Sequence, residues 1–356
     1  MSKADKIASF NPNDPGDPNS NIFGLPFTCD EAEVVIVPVP WDVTVSYSDG
    51  TAEGPAAIFD ASFQVDLHEP SIPDAWKLGL AMDEISQEVA GKAALLREEA
   101  KVYIDAITNG VDVHNDATCK AIREKINKGS EWLNEWVRQR CLHWMRNGKL
   151  VALLGGDHST PFGMMQALAE VHGDFAILQI DAHADLRKAY EGFTYSHASI
   201  MYNALSIPQV KKLVQVGIRD FCQEEADLIK ASNGRIVTFF DRDLKHEQYN
   251  GFHWAKQVDE IISHLPEKVY ISFDIDGLDP KLCPNTGTPV AGGFEYEQAA
   301  FLIDRVVRLG KKVIGIDLNE VAPGPDGDEW DANVGARMLF RMCNLLALSN
   351  GRFTNE

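Results

Sequence analysis

The chain has 356 residues, 45% of them hydrophobic, and a formal net charge of −20. That is enough apolar material for a sizeable core, while the charge excludes nucleic acid and anionic membrane as partners. No apolar run approaches the roughly 20 residues that span a bilayer. Six scattered cysteines (Cys29, Cys119, Cys141, Cys222, Cys283 and Cys343) lack any CxxC pair and read as free thiols of a reducing cytosol.

Residues 1–27 are polar and rich in Pro, Asn and Asp, with no apolar h-region. They are neither a secretory signal nor a transit peptide, and they read as a surface arm available to a neighbouring subunit. Residues 28–356 read as one α/β domain. Strand candidates fall at 34–39, 150–154, 175–180, 212–216, 236–240, 268–273 and 313–318. They are near-continuous apolar runs, as expected of parallel strands buried on both faces. Gly54-Pro55 opens a helix with proline at its first position. A charged, helix-rich insertion occupies about 83–147. Within it Ser130 reads as the N-cap of a helix carrying Leu133, Trp136, Val137, Arg140 and Trp144, with Gly148 just past its end. The sum is a helix–sheet–helix layering around a mostly parallel sheet.

In such sheets ligands bind beyond the carboxyl ends of the strands. Four runs end there in acids or histidines: Gly155-Gly156-Asp157-His158, Asp181-Ala182-His183-Ala184-Asp185, Asp274-Ile275-Asp276, and Asp317-Leu318-Asn319-Glu320. Residues i and i+2 of an extended chain share a face. Carboxylates gathered there would repel one another and suffer desolvation, a conflict that divalent cations remove. Oxygen and nitrogen donors without sulfur suit manganese, and also nickel, cobalt or iron, better than a thiolate zinc site. A single Asp after a strand is more often a turn former or helix cap. Asp157 and Asp279 read that way, Asp157 as a residue that orients its neighbour.

The segments Gly155-Gly156-Asp157-His158-Ser159, Asp181-Ala182-His183-Ala184-Asp185 and Ser272-Phe273-Asp274-Ile275-Asp276-Gly277-Leu278-Asp279-Pro280 resemble the three signature motifs of the ureohydrolase family of arginases, agmatinases and formimidoylglutamases. Val216-Gly217-Ile218-Arg219 is also family-like, and the resemblance spans about 34–345. It implies a three-layer α/β/α sandwich, a hydroxide-bridged pair of Mn2+ ions (Ni2+ as the alternative), and a homo-oligomer, trimer or hexamer. Segment 349–356 is a further candidate contact piece. Carried over motif by motif, His158, Asp181, Asp185 and Asp274 would hold one metal. His183, Asp181, Asp274 and Asp276 would hold the other.

The expected reaction is hydrolysis of a small cationic guanidino compound to urea and an amine, agmatine to putrescine foremost. Two metals lower the pKa of water between them and stabilise a tetrahedral intermediate. Asp185 would then pass a proton to the leaving amine. Glu320 resembles the family's guanidinium-holding glutamate, and His197, in Tyr195-Ser196-His197-Ala198-Ser199, its proton-shuttling histidine. The Asp185-Leu186-Arg187 wording is closer to agmatinases, whereas Thr286-Gly287-Thr288-Pro289 is closer to arginases. Arginine, guanidinobutyrate, guanidine and formimidoylglutamate therefore stay open. Arg187 reads first as a surface salt bridge, with a specificity role as the alternative. Residues 44–51 and the 83–147 insertion are expected to shape the pocket mouth. From other classes, a one-metal deacetylase of similar fold and a non-catalytic binding protein are the alternatives.

Overall fold

Apolar β-branched runs set the centre of the molecule. The computed structural model describes residues 1–353. Eight strands, β1 (Val34–Val39), β2 (Leu80–Met82), β3 (Leu150–Gly155), β4 (Phe175–Ile180), β5 (Val210–Ile218), β6 (Ile236–Phe240), β7 (Lys268–Asp274) and β8 (Lys312–Asn319), form one sheet. Its order is β2-β1-β3-β8-β7-β4-β5-β6, with parallel pairing throughout. Alternate side chains leave opposite faces. Val34 and Ile36 join one core, covered by α2 (Gly54–Ser62) and the helices Trp254–Ser263, Tyr296–Arg308 and Trp330–Ser349. Val35 and Val37 join the other, covered by α3 (Gln87–Thr108), α4 (Ala117–Arg146) and α5 (Phe162–His172). The result is a three-layer α/β/α sandwich. Among the described residues, no helix is long and apolar enough to cross a membrane.

Two local expectations are corrected, and one strand is added. The strand β2 has three residues, too few to leave a periodic pattern in the sequence. Ser130 does not start a helix: α4 begins at Ala117 with Asp116 as its N-cap, and Ser130 lies in its interior. The Gly129-Ser130 pair serves packing instead. A Cβ at Gly129 would stand 2.3 Å from the Leu96 side chain of α3, and the Ser130 hydroxyl donates back to the Ile126 carbonyl. The N-terminal segment also divides. A short helix, α1 (Lys3–Ser9), has no buried residue, but Ile22, Phe23, Leu25 and Phe27 are buried in the chain's own core. Asn21 pairs with both backbone groups of Met82, closing the open edge of β2. Of the segment 349–356, residues 354–356 lie outside the described residues.

Candidate metal centre and active site

The four strands whose ends carry acids or histidines are neighbours, in the order β3-β8-β7-β4. Their register sets Leu154 beside Leu318, Asp274 beside Asn319 and Ile180 beside Phe273, so their carboxyl ends stand level. Side chains widely separated in sequence are therefore delivered to one spot at the sheet's edge.

His158 Nδ1 lies 3.0 Å from Asp181, 3.1 Å from Asp185 and 3.3 Å from Asp274. His183 Nδ1 lies 2.9 Å from Asp276 and 3.7 Å from Asp181. Asp181 turns one oxygen toward each histidine, so two ligand groups, His158–Asp181–Asp185 and Asp181–His183–Asp276, meet at its carboxylate. All six side chains are buried except His183, which is partly exposed. Neutral burial would require each polar atom to find a partner. Yet His158 Nδ1 and Asp276 Oδ2 are buried without a hydrogen bond, both aimed into the cluster. Such atoms are the donor set a pair of divalent cations needs, and the residues fit that group.

The electrostatics agree. Burial and the Asp181 charge push Asp185 up to about 7. Burial, Asp276 and Asp181 hold Asp274 well above the usual carboxylate range. Burial alone would lower the imidazoles, but neighbouring carboxylates hold His158 and His183 well above their ordinary value. Burial likewise opposes ionisation of Asp181, but the two imidazoles beside it hold it below. The pocket carries negative charge in excess, which protons or cations must balance.

Outer contacts fix these ligands. Gln179 donates to Asp181 at 2.8 Å, Gln215 to Gln179 at 2.7 Å, and Thr238 to Gln215 at 2.8 Å. On the other side Ser272 meets His158 Nε2 at 2.9 Å and donates to Asp317, which also accepts from Tyr270 and Asn319. The bond at Nε2 leaves Nδ1 facing the carboxylates. Arg219 clasps the carbonyls of Asp276, Leu278 and Val290, pinning the loop after β7. Asp185 and Glu320 both adopt a left-handed backbone, φ 54° and 64°. That conformation costs a non-glycine residue on the order of 1 kcal/mol and concentrates at functional sites.

Glu320 is buried, accepts from the His158 amide at 2.8 Å, and is held high by burial and by Asp157. Asp157 accepts from the Ser159 amide and from Thr44, as an orienting residue would. Asp279 accepts from the Lys281 amide within its turn. His197 is buried on the wall of a cavity of 140 Å³ beside His183 and Asp185, and burial pushes its imidazole down to about 3. Arg187 lies on the same wall, 4.0 Å from Glu225 and with its guanidinium 4.8 Å from the Tyr190 ring centre. It is an ion pair on the pocket wall with its side chain 39% exposed, as a surface salt bridge would be. Tyr190, Ala198, Asp220, Phe221, Glu225, Ser46 and Thr288 complete this wall. Tyr190, Phe221 and Glu225 carry no local pattern that marks them in the sequence, whereas Ser46 falls in the expected 44–51 segment and Thr288 in the arginase-like stretch 286–289. The larger cavity of 840 Å³, lined by Asn21, Phe27, Cys29 and Met82, lies at the β2 edge and holds none of the ligand groups.

Of the expected pocket-mouth segments, 44–51 reaches the cavity through Ser46, whereas no residue of 83–147 lines it. Side chains of α3 and α4 hold residues 43–51 and 186–199 from outside: Arg97 bonds Val43 and Val45, and Asn127 bonds Gly192 and Thr194.

The Arginase family model matches residues 32–344. The chain is 32% identical over 327 residues to an N(1)-aminopropylagmatine ureohydrolase of Thermus thermophilus, covering 92% of this chain and 94% of that one. It is 29% identical over 317 residues to an agmatinase of Bacillus anthracis, covering 88% and 91%. The fold matches the crystal structure of the agmatine ureohydrolase of Thermoplasma volcanium with a TM-score of 0.69 at 23% identity, covering 99% and 100%. The chain belongs to the arginase family, whose members are dinuclear-metal hydrolases of C–N bonds in linear amidines.

Proposed function

We propose that this chain hydrolyses agmatine or a close guanidino analogue to urea and an amine, putrescine in the case of agmatine. The observation that carries this reading is Asp181, shared between two ligand groups beside a small cavity that also receives Asp185 and His197. His158, Asp181, Asp185 and Asp274 would hold one divalent cation, and His183, Asp181, Asp274 and Asp276 the other. Two such cations supply Lewis acidity and lower the pKa of water between them, giving a nucleophile near neutral pH. Manganese suits the oxygen-rich donors first, with nickel as the alternative.

The protein's own groups do the rest. The Asp185 carboxylate takes a proton from the attacking water and passes it to the leaving nitrogen. Glu320 presents a carboxylate for paired N–H donors of the guanidinium, orienting its carbon toward the attack. His197, neutral at pH 7 on the cavity wall, relays a solvent proton to the departing amine, which leaves as an ammonium. Asp220, Glu225 and Tyr190 along the cavity suit the ammonium tail of agmatine. The named relatives point the same way. A guanidino acid is the second reading, favoured by the Arg187 guanidinium on that wall. The outer part of the N-terminal arm, residues 1–20, and the C-terminal segment are offered as contact pieces of a trimeric or hexameric homo-oligomer. The cysteines, all free among the described residues, accord with a cytoplasmic enzyme.

The test is urea release by purified protein loaded separately with manganese and nickel. The panel is agmatine, aminopropylagmatine, arginine, guanidinobutyrate and guanidine. Agmatine or its aminopropyl derivative should be turned over with the highest kcat/KM. Preference for guanidinobutyrate or arginine would select the second reading, and no urea from any compound would refute both.

A further inference from the structure

Helix α3 reaches the pocket mouth through one buried cation. Arg97 is 9% exposed. Its Nη1 donates to the carbonyls of Val43 at 3.2 Å and Val45 at 2.6 Å. Its Nε lies 3.9 Å from Asp49, which Lys101 also holds at 2.9 Å. The gripped segment is a loop closed on itself, because the Gly50 amide donates to Asp42 at 2.9 Å. Between the two gripped carbonyls sits Thr44, fully buried. Its hydroxyl donates to Asp157 at 3.4 Å and accepts from the His197 amide at 3.3 Å. Two residues further, Ser46 lines the cavity beside His183 and Asp185.

Buried carbonyls need donors, and a buried guanidinium needs acceptors. Arg97 Nη1 satisfies both loop carbonyls, and the same guanidinium sets its charge 3.9 Å from Asp49, a combination one ammonium does not reproduce. We infer that Arg97 is a positioning residue: it sets the 42–50 loop so that Thr44 keeps Asp157 and His197 in place and Ser46 closes the cavity over the substrate's tail. The substrate part of this inference rests on the ureohydrolase reading, and the ordering of the loop does not.

The experiment compares wild type, Arg97→Met, Arg97→Lys and Thr44→Val, all manganese-loaded. It measures amide hydrogen exchange by mass spectrometry, metal content, and kcat and KM for agmatine and for guanidine, which is too short to reach the loop. Arg97→Met should speed exchange over 43–50 by about tenfold, as loss of a locally protecting contact does. It should raise KM for agmatine by about tenfold, lower guanidine turnover by a smaller factor through the loosened His197, and leave two metals per chain in place. Arg97→Lys should fall between, and Thr44→Val should raise KM for agmatine without loosening the loop. Wild-type exchange over 43–50 in Arg97→Met overturns the inference, as does equal damage to both substrates with loss of metal. If Arg97→Met does not fold, Arg97→Lys decides, and unchanged exchange in it overturns the inference. If wild type cleaves neither compound, the functional reading fails while the exchange result still judges the role of Arg97.

Discussion

The ligand cluster and the pocket mouth lie side by side but are held in different ways. Each ligand stands within a few residues of a central parallel strand, and the level ends of β3, β8, β7 and β4 set the spacing. The mouth is made of loops with no strand beneath them. It is held from outside by Arg97, Tyr103 and Asn127 of α3 and α4, Tyr103 packing on Phe193 with ring centres 5.2 Å apart. The first arrangement rigidly fixes the chemistry. The second leaves the tail-binding wall dependent on long-range packing, so changes in α3 and α4 can retune substrate choice while sparing the metals.

The sharpest break of this comparison is Asp181→Ala. It removes the carboxylate shared by both ligand groups and should lower urea release by more than about 10³-fold with loss of bound metal. Substantial turnover in this variant would refute the shared-ligand role. Glu320→Gln keeps an acceptor for the His158 amide but loses the charge, so metal content should hold while kcat/KM falls by about 10²-fold. Equal loss of metal would make Glu320 a support of His158 only.

How far the two regions are legible in the sequence follows the same division. The ligands stand out because DxHxD, GGDH and DxD fall where apolar runs stop, a purely local signal. The strands show because both faces are buried. Ser130 misleads because a Gly-Ser pair looks like a helix break when the glycine in fact admits Leu96. Phe23, Leu25 and Phe27 sit among prolines and asparagines, so their burial has no periodicity to announce it. Tyr190, Glu225 and Thr44 acquire their places only through contacts with distant segments.

Smaller effects sharpen the comparison. Gly163 opens α5 against α4, and a Cβ there would stand 2.1 Å from the Asn134 carbonyl. Gly163→Ala should cost about 1–3 kcal/mol of stability, read as a lower unfolding midpoint, with two metals still bound per chain in the folded protein. An unchanged midpoint would mean that the helices give way without cost. His197 gives the mildest and most specific test. Its imidazole is pushed down to about 3 in the fold by burial and by the nearby His183 and His158, whereas in the unfolded chain it protonates below about 6.5. Between those values the unfolded state binds more protons, so this group makes stability fall as pH drops from about 6.5 toward 3. His197→Asn should flatten that acid-side slope in denaturant titrations, and an unchanged slope would contradict a buried neutral imidazole.

The most direct test of the two-metal account is a titration of metal-stripped protein with manganese, following ions bound per chain by elemental analysis and urea released from agmatine. The account predicts that turnover rises only as the second ion per chain is taken up. Full activity at one ion per chain, or two ions bound with no urea, would contradict it.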